Sequence, residues 1–280
     1  MLRESQRSIG LELPGGKGGR TIVAVLDVYP KSRKLILSEL LPSKTQRRMD
    51  LSQDEVLVTE LRQLAADCAE FRGLGVSGPL SLPVGFLDGP KSEREVGRAA
   101  DAESRWMHKT WESLRPKPRA FAPYLQRACE VWLRYLTPEK FLSTDALGAN
   151  AAPLTARLQH LKHVLPEPRF EVHPRASVLR IAKSLTMPKT IPAQYTDLEK
   201  GVAAREAFFT HVNKRLPQLF LYDHDLEAMI LHLNHFHAFV SALTVHLAAL
   251  ELTEKPPRGF PKTSAWIHVP RTDTDWNAIF

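Results

Sequence analysis

Leu74-Gly-Val-Ser-Gly-Pro-Leu-Ser-Leu-Pro83 reads as a short buried strand that stops abruptly at a turn, with Ser77 at its exit. Apolar residues run up to Val76, and the glycines and prolines that follow forbid both a longer strand and a helix. A loop that leaves a buried strand this sharply is where a scaffold places chemistry.

Upstream, Ser8-Ile-Gly-Leu-Glu-Leu13 alternates, meets Pro14-Gly-Gly-Lys-Gly-Gly19, and resumes as Thr21-Ile-Val-Ala-Val-Leu26. That pattern predicts two strands joined by a glycine-rich turn. Tyr29-Pro-Lys-Ser-Arg33 supplies a second turn, and Lys34-Leu-Ile-Leu-Ser-Glu-Leu40 a third strand. Ser52 and Glu55 have the spacing of a capping box, and Val56, Leu57, Leu61, Leu64, Ala65, Cys68 and Phe71 recur at helical intervals. The opening is therefore β-β-β-α-β, with a helical crossover feeding the strand through Val76.

From Val84 to Pro166 the texture turns helical, interrupted by prolines, and residues 84–166 read as a helical insertion between core segments 8–83 and 167–270. Trp106 and Trp111, beside Arg105 and Lys109, have the chemistry of a stacking platform for bases, but packing within the insertion is the simpler reading. Arg169 to Pro174 is another short strand, Ala176 to Leu185 a helix, and helices fill 198–215 and 224–251. The last is a broad apolar stripe suited to a sheet face. Ala265 to Pro270 closes the pattern as a final strand or edge segment.

The chain has 280 residues and a formal charge of +7, which suits a polyanionic partner such as nucleic acid, with basic clusters at Lys31–Lys34, Lys44–Arg48 and Arg115–Arg119. Each cluster falls in a turn or helix end, where solvated charge is common. No long uncharged apolar run is present and no apolar segment follows the N-terminal charges, so the sequence predicts a cytoplasmic protein without a membrane partner. Cys68 and Cys129 both read as small helical core residues. The glycine run at 15–19 lacks Walker spacing, although its amides could cradle a phosphate. His224, His232, His235, His237 and His246 crowd one region without a spaced third ligand, which favours structural or surface roles.

Taken together, the opening strand and glycine turn, the 74–83 segment, Glu171-Val-His-Pro174, His237-Ala-Phe-Val-Ser-Ala-Leu-Thr244 and Trp266-Ile-His-Val-Pro270 resemble the domain-of-unknown-function family 429 over residues 8–270. The resemblance implies an α/β, RNase H-like fold: a five-stranded mixed sheet flanked by helices. It also implies a nuclease ancestry. Phosphodiester hydrolysis on such a fold uses two divalent cations about 4 Å apart, held by clustered carboxylates.

Carried across, the family's first-strand aspartate falls on Glu12 and the aspartate before Pro-Leu-Ser-Leu-Pro on Ser77. The glutamate before His-Pro is retained as Glu171, and the aspartate of the last helix falls on His237. Two of four implied ligand positions stay anionic. Glu12 adds a methylene that displaces its oxygens, and Ser77 removes a charge. His237 suits manganese better than magnesium, can serve as a general base, or can simply pack on its helix. A second register would use Glu227 instead.

The expectation is an RNase H-like protein with a degraded metal site that binds nucleic acid, nucleotide or a protein partner. Its alternative is an active phosphodiesterase, a hydrolase with Mn or Mg held by Glu12, Glu171 and His237. No second β-β-β-α-β unit is present, which argues against an actin-like nucleotide binder.

Overall fold

In this computed structural model the alternating opening segment forms a meander of β1 (Gln6–Glu12), β2 (Ile22–Tyr29) and β3 (Lys34–Pro42). The structure describes residues 4–14, 20–42, 52–87, 101–114, 122–137, 145–148, 151–262 and 264–280. The glycine run at 15–19 and the basic clusters at 44–48 and 115–119 lie outside them.

Helix α1 (Gln53–Ala66) begins at the expected capping box: the Glu55 amide donates to Ser52 Oγ at 3.2 Å, and the Ser52 amide donates to the Glu55 carboxylate at 2.6 Å. The chain returns as β4 (Glu70–Val76), parallel to β1. The inserted segment contains α2 (Val84–Leu87), α3 (Ala102–Ser113), α4 (Ala128–Leu136) and α5 (Ala151–Leu161) among the described residues. Then follow β5 (Arg169–Val172), α6 (Pro174–Ser184), α7 (Thr190–Gln194), α8 (Gly201–Arg215), β6 (Leu219–Phe220), α9 (Asp223–Leu231), α10 (Leu233–Ala249) and β7 (Ile267–His268).

The strands form one mixed sheet in the order β6-β3-β2-β1-β4-β5-β7, so the α/β class holds. It has seven strands where five are expected. The two added strands are the outer ones, of two residues each: β7 lies within the final strand or edge segment expected over 265–270, and β6 is too short to alternate visibly. Strands β4, β5 and β7 follow β1 in parallel, so their carboxyl ends share one edge of the sheet.

Strand alternation sends side chains to two cores. Ile9, Leu11, Val23, Val25, Leu74 and Val76 join Leu57 and Leu61 of α1 and Leu158 and Leu161 of α5 on one face. Ile22, Ala24, Leu26 and Val28 join α6, α8 and α10 on the other. Helix α10 lies against β1 and β4 because glycines let it: a Cβ on Gly10 would stand 2.0 Å from the Ala238 carbonyl oxygen, and one on Gly75 2.5 Å from Val245 Cγ2. Within the sheet, Arg7 and its register partner Asp27 form a buried bidentate pair at 2.8 and 2.9 Å.

Two expectations change, and the packing reading of the tryptophans holds. The helix expected over 224–251 is two helices, bent by 114° at His232, whose extended backbone (φ −117°, ψ 115°) ends α9 and opens α10. No single helix among the described residues is long and apolar enough to cross a membrane. Cys68 sits in the turn after α1, half-buried, while Cys129 is buried in α4; both are free. Trp111 is buried in a small cluster within the insertion, and Trp106 packs edge-on against Phe260 at 5.0 Å.

Candidate functional site

Glu12 ends β1 and Ser77 follows β4, so pairing of these two parallel strands sets them side by side at the sheet's carboxyl edge. Ligand sites of open α/β sheets gather at this edge. Ser77 Oγ donates to Glu12 Oε2, and His237 Nδ1, reaching down from the first turns of α10, stands 3.5 Å from Glu12 Oε1. His237 Nε2 lies 3.3 Å from the Tyr195 hydroxyl, just past α7. The carboxylate accepts only, so a neutral imidazole in this chain carries its proton on Nδ1, and the Tyr195 hydroxyl donates to Nε2. Burial pushes the Tyr195 phenol up, which keeps that donor protonated.

His173 is the hinge of the neighbouring motif. Its Nδ1 accepts from the Ala176 amide at 3.4 Å as the N-cap of α6, and Pro174 fills the first helical position, where no amide is needed. Burial first, then the charges of Arg175 and His237, push His173 down to about 3, so it stays neutral. Arg175 is half-buried in the first turn of α6 and, among the described residues, is held by no ion pair. Its positive field reaches both His173 and Tyr195.

Glu171 is placed differently. It shares the carboxyl edge, but its register partner Val76 belongs to the face covered by α1 and α5, whereas Gly75 meets α10 on the opposite face. Glu171 thus leaves the sheet away from the Glu12–Ser77–His237 group. Its Oε2 accepts from the Leu80 amide at 2.9 Å, in the loop that the 74–83 segment forms.

Both of its oxygens accept from Arg127, at 2.8 and 2.5 Å. Arg127 is the N-cap residue of α4 and also holds Glu130 at 2.8 and 3.2 Å and Ser81 Oγ at 3.3 Å. The three charged side chains are at most 5% exposed. Burial raises Glu130 toward protonation against the pull of Arg127.

Of the four sequence-derived positions, three are in contact and the fourth is ion-paired elsewhere. Glu227 is exposed on α9. Tyr195 and Arg127 have no local spacing that ties them to the motifs, and Arg175, though next to Pro174, reads from sequence as an ordinary first-turn helix residue. A divalent metal does not fit these residues. Glu12 is the sole carboxylate of its group, Ser77 donates a hydrogen bond where an anion is required, and Glu171 already has a guanidinium as its cation. Among the described residues no group of three or more His, Cys, Asp and Glu side chains is arranged to hold a metal ion. No protein-family model, curated protein or solved structure matches this chain.

Proposed function

We propose that this protein is an RNase H-like scaffold of the family-429 type that binds a phosphate-bearing ligand, nucleic acid or nucleotide, without metal-dependent cleavage. The strand order supports the fold assignment: an antiparallel β3-β2-β1 meander continued by parallel β4 and β5 is the arrangement that the β-β-β-α-β opening leads to. The observation that carries the functional reading is the donor set at the carboxyl edge. One carboxylate hydrogen-bonded by a serine, with a histidine 3.5 Å away, cannot neutralise the charge of a metal pair.

What the edge retains is suited to recognition. Arg175 offers a guanidinium to a phosphate oxygen, while Ser77, Tyr195 and His237 spend their protons within the group and hold the Glu12 carboxylate in place. The chain's net charge of +7 favours the encounter.

The test is fluorescence anisotropy with labelled single- and double-stranded oligonucleotides and with a labelled nucleotide, alongside a cleavage assay in Mg2+ and Mn2+. Binding without cleavage, weakened by Arg175→Gln, is the expected result. Cleavage abolished by Glu171→Gln would instead establish the phosphodiesterase, and failure to bind any of these probes would leave a protein partner as the occupant.

A further inference from the structure

Arg127 is one of the largest fully buried side chains in the protein. Five hydrogen bonds use its fork: two to Glu171, two to Glu130 and one to Ser81. It arrives from the inserted segment, 44 residues away from Glu171 in sequence. Its position is fixed by the helix behind it, because Cys129 and Leu133 of α4 pack on Ile267, Val269 and Ala176 at the β5–β7 side of the sheet.

We infer that the Arg127 guanidinium is the permanent counter-cation of Glu171 and stands where a divalent metal would otherwise be needed. The inference rests on the proposed reading only in taking Glu171 as a position at which such a scaffold would hold a cation. Its physical content is local. Two buried carboxylates converge on one point and require positive charge there. A guanidinium meets that requirement with bidentate geometry and does not exchange with solvent, and with the Leu80 amide it takes three of the about four lone-pair sites of Glu171. A guanidinium also cannot acidify a bound water as a metal does, so this pole of the edge neutralises charge and supplies no nucleophile. The insertion thereby acts as a built-in plug that makes the protein indifferent to divalent ions.

The experiment is Mn2+ titration followed by electron paramagnetic resonance of the free ion, with thermal unfolding in parallel, on the full chain as wild type, Glu171→Gln, Arg127→Met and the Arg127→Met/Glu171→Gln pair. Wild type and Glu171→Gln should take up no Mn2+ at this position and show no metal-dependent shift in unfolding temperature.

Arg127→Met should unfold at lower temperature, bind Mn2+ at least about tenfold more tightly than wild type, and regain stability as the ion binds. Adding Glu171→Gln should abolish that binding. Wild-type Mn2+ binding that Glu171→Gln removes would overturn the inference. So would a folded Arg127→Met protein with wild-type metal affinity, or one that stays unfolded in saturating Mn2+. Oligonucleotide and nucleotide binding by wild type, measured separately, decides the proposed function and leaves these outcomes unaffected.

Discussion

At the scale of single residues, the buried ion pairs set the largest expected effects. Replacing Arg127 by Met strands Glu171 and Glu130 without a partner, and breaking a buried pair of this kind costs about 3–5 kcal/mol. Urea denaturation of the variant should show a lower midpoint with an unchanged slope. Tyr195→Phe removes one hydrogen bond to His237, worth about 0.5–1.5 kcal/mol, and frees the imidazole to turn. It should weaken ligand binding more than it lowers the denaturation midpoint, and an effect on stability alone would assign Tyr195 a packing role.

Glu12, Ser77, Glu171 and His237 come from the resemblance of the motifs around them, and the structure sets three of them side by side while Glu171 pairs elsewhere. Arg127 has no such motif around it. Gln126-Arg-Ala-Cys-Glu130 looks like any charged helix start, and its significance lies in a partner far along the chain. The face that Glu171 occupies was equally hidden, since it follows from the pairing register and a one-residue shift would reverse it.

At the scale of elements, the seating of α10 on β1 and β4 governs the site, because the same helix carries His237. Gly10→Ala would drive a methyl group into the backbone at Ala238 and Ala242, contacts of 2.0 and 2.5 Å that side-chain motion cannot relieve. The helix must lift. We expect a loss of at least about 1–3 kcal/mol, and a crystal structure of the variant should show His237 displaced from Glu12.

Alternation and the Ser52–Glu55 box made the β-β-β-α-β opening legible, down to the helix start. The proline-broken helical texture of 84–166 is matched by the four helices described there. The bend at His232 was not legible, because it carries neither proline nor glycine. The apolar period continues across it, so the break is set by packing: Met229 of α9 and Phe236 of α10 enter the same core. Strand β7 falls in the expected final segment, whereas β6 is fixed by edge pairing with β3 and leaves only two residues to signal it.

At the scale of the whole molecule, buried neutral histidines tie stability to pH. Burial pushes His173 down to about 3, and His246 and His268 down to about 4. His246 is 1% exposed, with Nε2 2.6 Å from the Ile279 carbonyl, so it donates there and joins the C-terminal segment to α10. Unfolded, each histidine takes a proton near pH 6.5. The unfolded chain therefore binds more protons between that pH and the folded values, and stability falls as pH drops through the window. Three such groups give a slope of up to about 4 kcal/mol per pH unit, opposed in part by Glu130. Thermal unfolding should shift downward from pH 6.5 toward pH 4, and His246→Gln should flatten the decline; a flat profile would contradict this account.

The Arg127–Glu171 contact also constrains how such a chain can drift over generations. Losing either partner alone strands a charge in the interior, so the two positions must change together or within a short succession of steps. Homologues that lack the arginine at 127 should also lack the glutamate at 171, and the reverse single loss should be just as rare. A gene tree should therefore place the two exchanges on the same branch or on neighbouring ones.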